Sequence, residues 1–185
     1  MTLNYYIIDT SSLIKLNRDN PLDVFPSIWK NLSTLVKDDR LIAPKEVLNE
    51  IKQNDDQLCT WAKKQKNMFK EPTGQQIQYV KELLKKYPAI VDVHSKYCAD
   101  PWVIALAMEM IHKKQKTLIS IKRIVVTEEK LRGNKIKIPL ICKDKSIAIR
   151  SSPYDEFAFT VRLFGIEIVD NTINITIKNI CFCLI

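Results

Sequence analysis

Short apolar runs that stop at polar turns alternate along this chain with longer stretches whose apolar residues recur at helical spacing, and that alternation limits the possible folds. Tyr5-Tyr6-Ile7-Ile8 is an aromatic and β-branched run ending at Asp9-Thr10-Ser11-Ser12, the pattern of a buried strand that closes in a polar turn. Arg40-Leu41-Ile42-Ala43, Ile124-Val125-Val126 and Gly165-Ile166-Glu167-Ile168-Val169 read as further strands. Helical character is expected at Ser27–Lys37, Pro44–Gln53, Asp56–Phe69, Gly74–Lys86 and Pro101–His112, with breaks at Pro, Gly or paired charges. Strands and helices in alternation imply an α/β domain built on a largely parallel sheet.

At 185 residues the chain can bury one good core, so a single domain over residues 1–170 is the expectation. Residues 145–162 interrupt the pattern and read as an inserted hairpin or surface excursion. Residues 171–185, rich in Ile and Asn, read as an edge strand or a divergent tail. No apolar segment approaches the roughly 18 residues of a membrane span. The N-terminus lacks the basic and apolar regions of a secretory signal, so a cytoplasmic location is expected. The five cysteines are scattered without a two-residue gap, which suggests free thiols in a reducing compartment. With only His94 and His112 to add, a closed zinc site has few candidate ligands. Any metal site here is built from oxygen.

The net charge of +8 favours an anionic partner. The stretch from Lys113 to Lys137 concentrates it, holding nine basic residues against only Glu128 and Glu129. Lys122, Arg123, Lys130 and Arg132 are its candidate contacts to a nucleic-acid backbone. Taken alone, a solvated helix end and loop explains the charge equally well.

Open α/β sheets place their sites at the carboxyl ends of the strands, so acidic residues directly after strands are the ones to weigh. Asp9 and the Thr127-Glu128-Glu129 run qualify. Asp100, before Pro101, has the form of a helix N-cap followed by proline at the first helical position. The helix behind it, Trp102 to Ile111, is apolar nearly all round and should lie deep in the domain. On the helix from Pro44, Val47, Leu48 and Ile51 form the apolar stripe. Glu50 lies at its edge, while Glu46 is expected to point further away. Each residue alone has an ordinary structural reading as a cap, turn or flank residue. Four carboxylates in one cleft would repel one another unless a cation neutralised them, and oxygen-only ligands select Mg²⁺ or Mn²⁺.

Four segments in order, Ile7-Ile8-Asp9-Thr10-Ser11-Ser12, Val47-Leu48-Asn49-Glu50-Ile51, Ala99-Asp100-Pro101-Trp102-Val103-Ile104-Ala105 and Val125-Val126-Thr127-Glu128-Glu129, resemble the successive motifs of PIN-domain ribonucleases. The Ala-Asp-Pro-Trp motif and the later Lys137-Ile138-Pro139 are similar to a subgroup of VapC-like toxins. The resemblance covers roughly residues 4 to 142 and resumes at Phe164-Gly165-Ile166. It implies a three-layer fold with a mostly parallel central sheet flanked by helices. It also implies a metal-dependent endoribonuclease, the toxin of a toxin–antitoxin pair, inhibited by an antitoxin protein and able to form a homodimer. Asp9, Glu50 and Asp100 would be metal ligands, with Glu129 the fourth acidic residue and Glu128 able to stand in for it. Thr10 or Ser11 would position the first carboxylate or a phosphate oxygen, and Thr127 would orient the fourth position. A catalytically silent PIN-like RNA-binding or interaction module is the alternative. A phosphatase of the haloacid dehalogenase type needs a second aspartate two residues after the first, and position 11 is serine.

Overall fold

The computed structural model describes residues 2–54, 56–91, 95–113, 120–131, 133 and 135–150. The chain divides into one compact unit, Met1–Ser151, and a second, Ser152–Ile185, which lies outside the described residues. The strand expected at Gly165–Val169, the tail from Asn171 and most of the expected insertion lie there too.

Five parallel strands form the centre of the first unit in the order β3-β2-β1-β4-β5. They are β1 (Thr2–Ile8), β2 (Leu41–Pro44), β3 (Phe69–Lys70), β4 (Ser120–Val126) and β5 (Ala148–Arg150). β1 is central because its last residues are apolar on both faces: Tyr6, Ile7 and Ile8 are all buried, as parallel strands covered by helices require. It pairs with β4 over seven residues, Thr2↔Ser120 to Ile8↔Val126, and with β2 at Tyr6↔Leu41 and Ile7↔Ile42. The chain moves from β1 to one side and then returns to the other with β4. Their carboxyl ends therefore flank a point where strand order reverses, the place where such sheets open a crevice.

Seven α-helices accompany the sheet among the described residues: α1 (Thr10–Asp19), α2 (Pro26–Lys37), α3 (Lys45–Ile51), α4 (Gln57–Lys64), α5 (Gly74–Lys86), α6 (Asp100–His112) and α7 (Ile138–Asp144). The three-layer α/β architecture with a parallel sheet between helices is the one the sequence leads to. α6 lies where its composition demands. Val103 to Met108 are all buried, and the helix packs on β1, β2 and β4 and also touches α5 and α7. No helix among the described residues is long and apolar enough to cross a membrane.

The structure departs from the sequence reading in several places. Asp9-Thr10-Ser11-Ser12 is no mere turn: Asp9 is the N-cap of α1, its carboxylate accepting from the Thr10 amide. The helix expected over 56–69 ends at Lys64. Met68 and Phe69 are both buried beside β2, where the Met68 carbonyl accepts from the Ala43 amide at 2.9 Å. Apolar burial against a sheet edge outweighs continuation of the helix. Pro44 ends β2 and does not open α3. The segment expected to leave the domain after Lys145 begins by extending it, since Ala148, Ile149 and Arg150 pair with Ile124, Val125 and Val126. α7 was not anticipated. Among the described residues, Cys59 and Cys142 are buried free thiols.

Candidate functional site

At the reversal point, the Asp9 amide donates to the Val126 carbonyl at 2.9 Å, so the residue that ends β1 is tied to the end of β4. Asp9 is only 2% exposed and receives donors on both oxygens. Oδ1 accepts from the Thr10 amide at 2.6 Å, and Oδ2 accepts from the Ser11 hydroxyl at 2.5 Å and the Thr127 hydroxyl at 2.9 Å. Each hydroxyl is itself held by the turn after β4. The Glu128 amide donates to Ser11 Oγ and the Glu129 amide to Thr127 Oγ1, both at 3.1 Å. Two relays from backbone to hydroxyl to carboxylate thus fold the 127–129 turn onto Asp9. Burial still dominates, holding the Asp9 carboxyl above its ordinary range despite these donors.

Glu50, from α3, reaches the same place. Oε2 accepts from the Thr10 hydroxyl, and Oε1 accepts from the Ala99 amide at 2.7 Å. One carboxylate therefore joins the start of α1 to the start of α6. Burial raises its pKa first, with the Asp9 charge adding to it. Glu129 is anchored from the other side, accepting from Lys137 Nζ and from the Ile138 amide at 3.0 Å. In this position it caps the first turn of α7.

Asp100 differs from the other three. It is the first residue of α6 behind an Ala99 cap, and it makes no capping hydrogen bond of its own. The expected N-cap role is therefore incorrect: with Ala99 in helical conformation, Asp100 is already inside the helix. Among the described residues no donor reaches its carboxylate. It is half-buried and its pKa is pushed up to about 8, first by burial, then by the charges of Asp9 and Glu129. Lys137 pulls the other way, and Glu50 adds a smaller repulsion. Asp9, Glu50, Asp100 and Glu129 are thus one electrostatically coupled cluster at the crevice.

The orienting residues expected from the sequence, Thr10, Ser11 and Thr127, all make direct hydrogen bonds within this cluster. The basic residues divide. Lys130 lines a pocket of about 270 Å³ beside Glu129, together with Glu128, Lys135 and Lys137. Lys122 and Arg123 sit in the body of β4, upstream of its carboxyl end, and Arg123 Nε is buried without a partner among the described residues. They are not part of the cluster, because the strand begins at Ser120 and carries both residues ahead of the Ile124–Val126 run read from sequence. Arg132 and His94 lie outside the described residues.

Two features escaped the sequence reading. Lys137 is the direct cationic partner of Glu129, a role that its place in Lys137-Ile138-Pro139 did not disclose. Glu46 was expected to point away, yet Glu46 Oε2 is buried without a partner among the described residues, and burial raises its pKa. It lies four residues before Glu50 on the same helix face.

Among the described residues, no three His, Cys, Asp or Glu side chains stand in an arrangement that could hold a metal ion as they are. The hydrogen bonds above give the reason: Glu50 is turned to Thr10 and Ala99, and Glu129 to Lys137 and Ile138. The cluster can concentrate negative charge, exchange a proton at Asp100 near neutral pH and, with a side-chain movement, present several carboxylate oxygens to a cation.

No curated protein matches the chain. The sequence profile of a family described as a domain of unknown function, DUF4411, matches residues 6–152, a span that contains the whole carboxylate cluster and all of the sheet except the first residues of β1. The chain belongs to the DUF4411 family.

Proposed function

We propose that this protein is a Mg²⁺- or Mn²⁺-dependent endoribonuclease of the PIN-domain kind, acting as the cytoplasmic toxin of a toxin–antitoxin pair. The observation that carries the reading is the Asp100 carboxylate. Three of the four acidic residues have structural work, as cap, bridge or latch; Asp100 has none among the described residues, yet it is desolvated beside the others. A charge so disfavoured is what a cation site looks like before the cation arrives.

The donor set suits a hard divalent ion, being all oxygen. Asp100 and Asp9 would hold it, with Glu50 or Glu129 joining after a side-chain turn. When bound, such an ion supplies neutralisation of the phosphate charge and activation of the attacking water. The protein's own residues do the rest. Ser11 and Thr127 fix Asp9, Glu50 keeps the starts of α1 and α6 together, and the lysines beside Glu129 attract the phosphate backbone. An antitoxin would act by covering this cleft, and a homodimer is part of the same proposal.

The test is cleavage of a mixed RNA panel by purified protein with Mg²⁺ or Mn²⁺, beside EDTA and an Asp9→Asn, Asp100→Asn double variant shown to be folded. Metal-dependent cutting that vanishes in the variant supports the nuclease. One observation favours a second reading: both glutamates are already satisfied by protein donors. A folded protein that binds RNA without cutting any of it would be the catalytically silent module.

A further inference from the structure

Lys137 occupies an unusual position for a surface lysine. Its ammonium is ion-paired to Glu129, whose side chain is 14% exposed, and it is close enough to Asp100 and Asp9 for both charges to act on it. It is therefore a positive charge paired directly with one member of the carboxylate cluster. The pair straddles a boundary, because Glu129 and Lys137 also line the 270 Å³ pocket whose other walls are Glu128, Lys130 and Lys135. On one side of the Lys137 ammonium lie the carboxylates; on the other lies a recess with two more lysines. The recess thus sets the ammonium groups of Lys130, Lys135 and Lys137 against the carboxylates of Glu128 and Glu129, an excess of positive charge.

We propose that Lys137 is the protein's own counter-ion for the cluster, held on Glu129 until a divalent cation takes its place, and that the freed ammonium then binds a phosphate of the RNA strand in the adjacent recess. The inference rests on the nuclease reading and deepens it by naming the residue that couples metal binding to substrate binding. A flexible four-carbon stem lets the ammonium change partners without moving the backbone. The divalent ion and the Lys137 ammonium repel each other and are both drawn to the Glu129 carboxylate, so they compete for it. Once displaced, the ammonium gains a phosphate and loses a carboxylate, which keeps its charge compensated throughout. α7 remains attached meanwhile, since the Ile138 amide holds the other Glu129 oxygen.

The experiment measures binding, not turnover. Mg²⁺ is titrated calorimetrically into wild type, Lys137→Met, Lys137→Arg and Lys130→Met, and the affinity of a fluorescent phosphorothioate oligoribonucleotide is read by anisotropy with and without Mg²⁺. Lys130→Met removes the same charge from the same recess but from a residue outside the ion pair. Lys137→Met should bind Mg²⁺ about tenfold more tightly, and Lys130→Met should gain at most about threefold. In wild type and Lys137→Arg, Mg²⁺ should strengthen oligonucleotide binding by about tenfold, and in Lys137→Met that enhancement should vanish. Thermal melts confirm that each variant is folded. Equal Mg²⁺ affinities in Lys137→Met and Lys130→Met, or an enhancement that survives in Lys137→Met, overturn the exchange and leave the nuclease reading standing. No Mg²⁺ binding by any variant overturns both.

Discussion

Replacing Asp100 by asparagine should stabilise the protein, against the usual direction for a change at a functional residue, and only above a certain pH. A carboxyl moved from 3.8 to about 8 prefers its protonated form by about 5–6 kcal/mol at the limit. Relaxation and hydration around a half-buried group reduce this to about 3 kcal/mol. The sign follows from linkage. Below pH 4 the group is protonated whether folded or unfolded, and it contributes no penalty. As pH rises from about 4 to about 8 the unfolded chain ionises it and the folded protein does not, so stability falls; above about 8 the penalty is constant. The asparagine side chain has the same shape, never ionises and breaks no hydrogen bond, because none reaches the carboxylate among the described residues. Urea unfolding in EDTA at pH 4.5 and pH 8.5 should show a gain for Asp100→Asn of about 1 kcal/mol at the lower pH, where the unfolded chain has begun to ionise the carboxyl, and of about 3 kcal/mol at the higher. The melting temperature at pH 8.5 should rise by roughly 6–12 °C. Parallel pH profiles for the two proteins would refute the argument, because the burial of this carboxyl would then not be felt.

Glu50→Ala should cost about 2–3 kcal/mol by orphaning the Ala99 amide, whereas Glu50→Gln should cost less, since its amide oxygen can still accept that bond; chemical denaturation of both variants checks this. Thr127→Val removes one donor to Asp9 and the acceptor of the Glu129 amide, and should destabilise by about 2 kcal/mol in the same assay. On the proposed nuclease reading, the same change should also lower RNA cleavage by at least about tenfold in a single-turnover assay, with RNA binding little changed. Ile7→Ala, at a fully buried position of the central strand, should cost about 3–4 kcal/mol and leave a thermal transition at least about 6 °C lower.

The alternation of strands and helices could be read from the chain, though not α1, β3, α7 or β5, because hydrophobic period is local. Tyr6 to Ile8, the wholly apolar α6 and the amphipathic α5 each declare themselves within a short window. The same local logic marked Asp9, Asp100 and Glu129 as candidates by their places at element ends, and Glu50 by its place at the edge of an apolar stripe. Local pattern could not say where an element stops when a distant surface is waiting for it. Met68 and Phe69 leave helical spacing to bury against β2, and Ala148 to Arg150 add a strand because the edge of β4 is open to them. Nor could it separate the carboxylates by task. Asp9 and Glu50 find donors 118 and 49 residues away, and only after the sheet has closed. The folded chain supplies the Ala99 amide, the Thr127 hydroxyl and the Lys137 ammonium, and it brings no donor to Asp100 among the described residues. Which acid is structurally satisfied and which is left without a donor among its neighbours' charges is a property of distances across the fold, and a one-dimensional pattern contains no such distances.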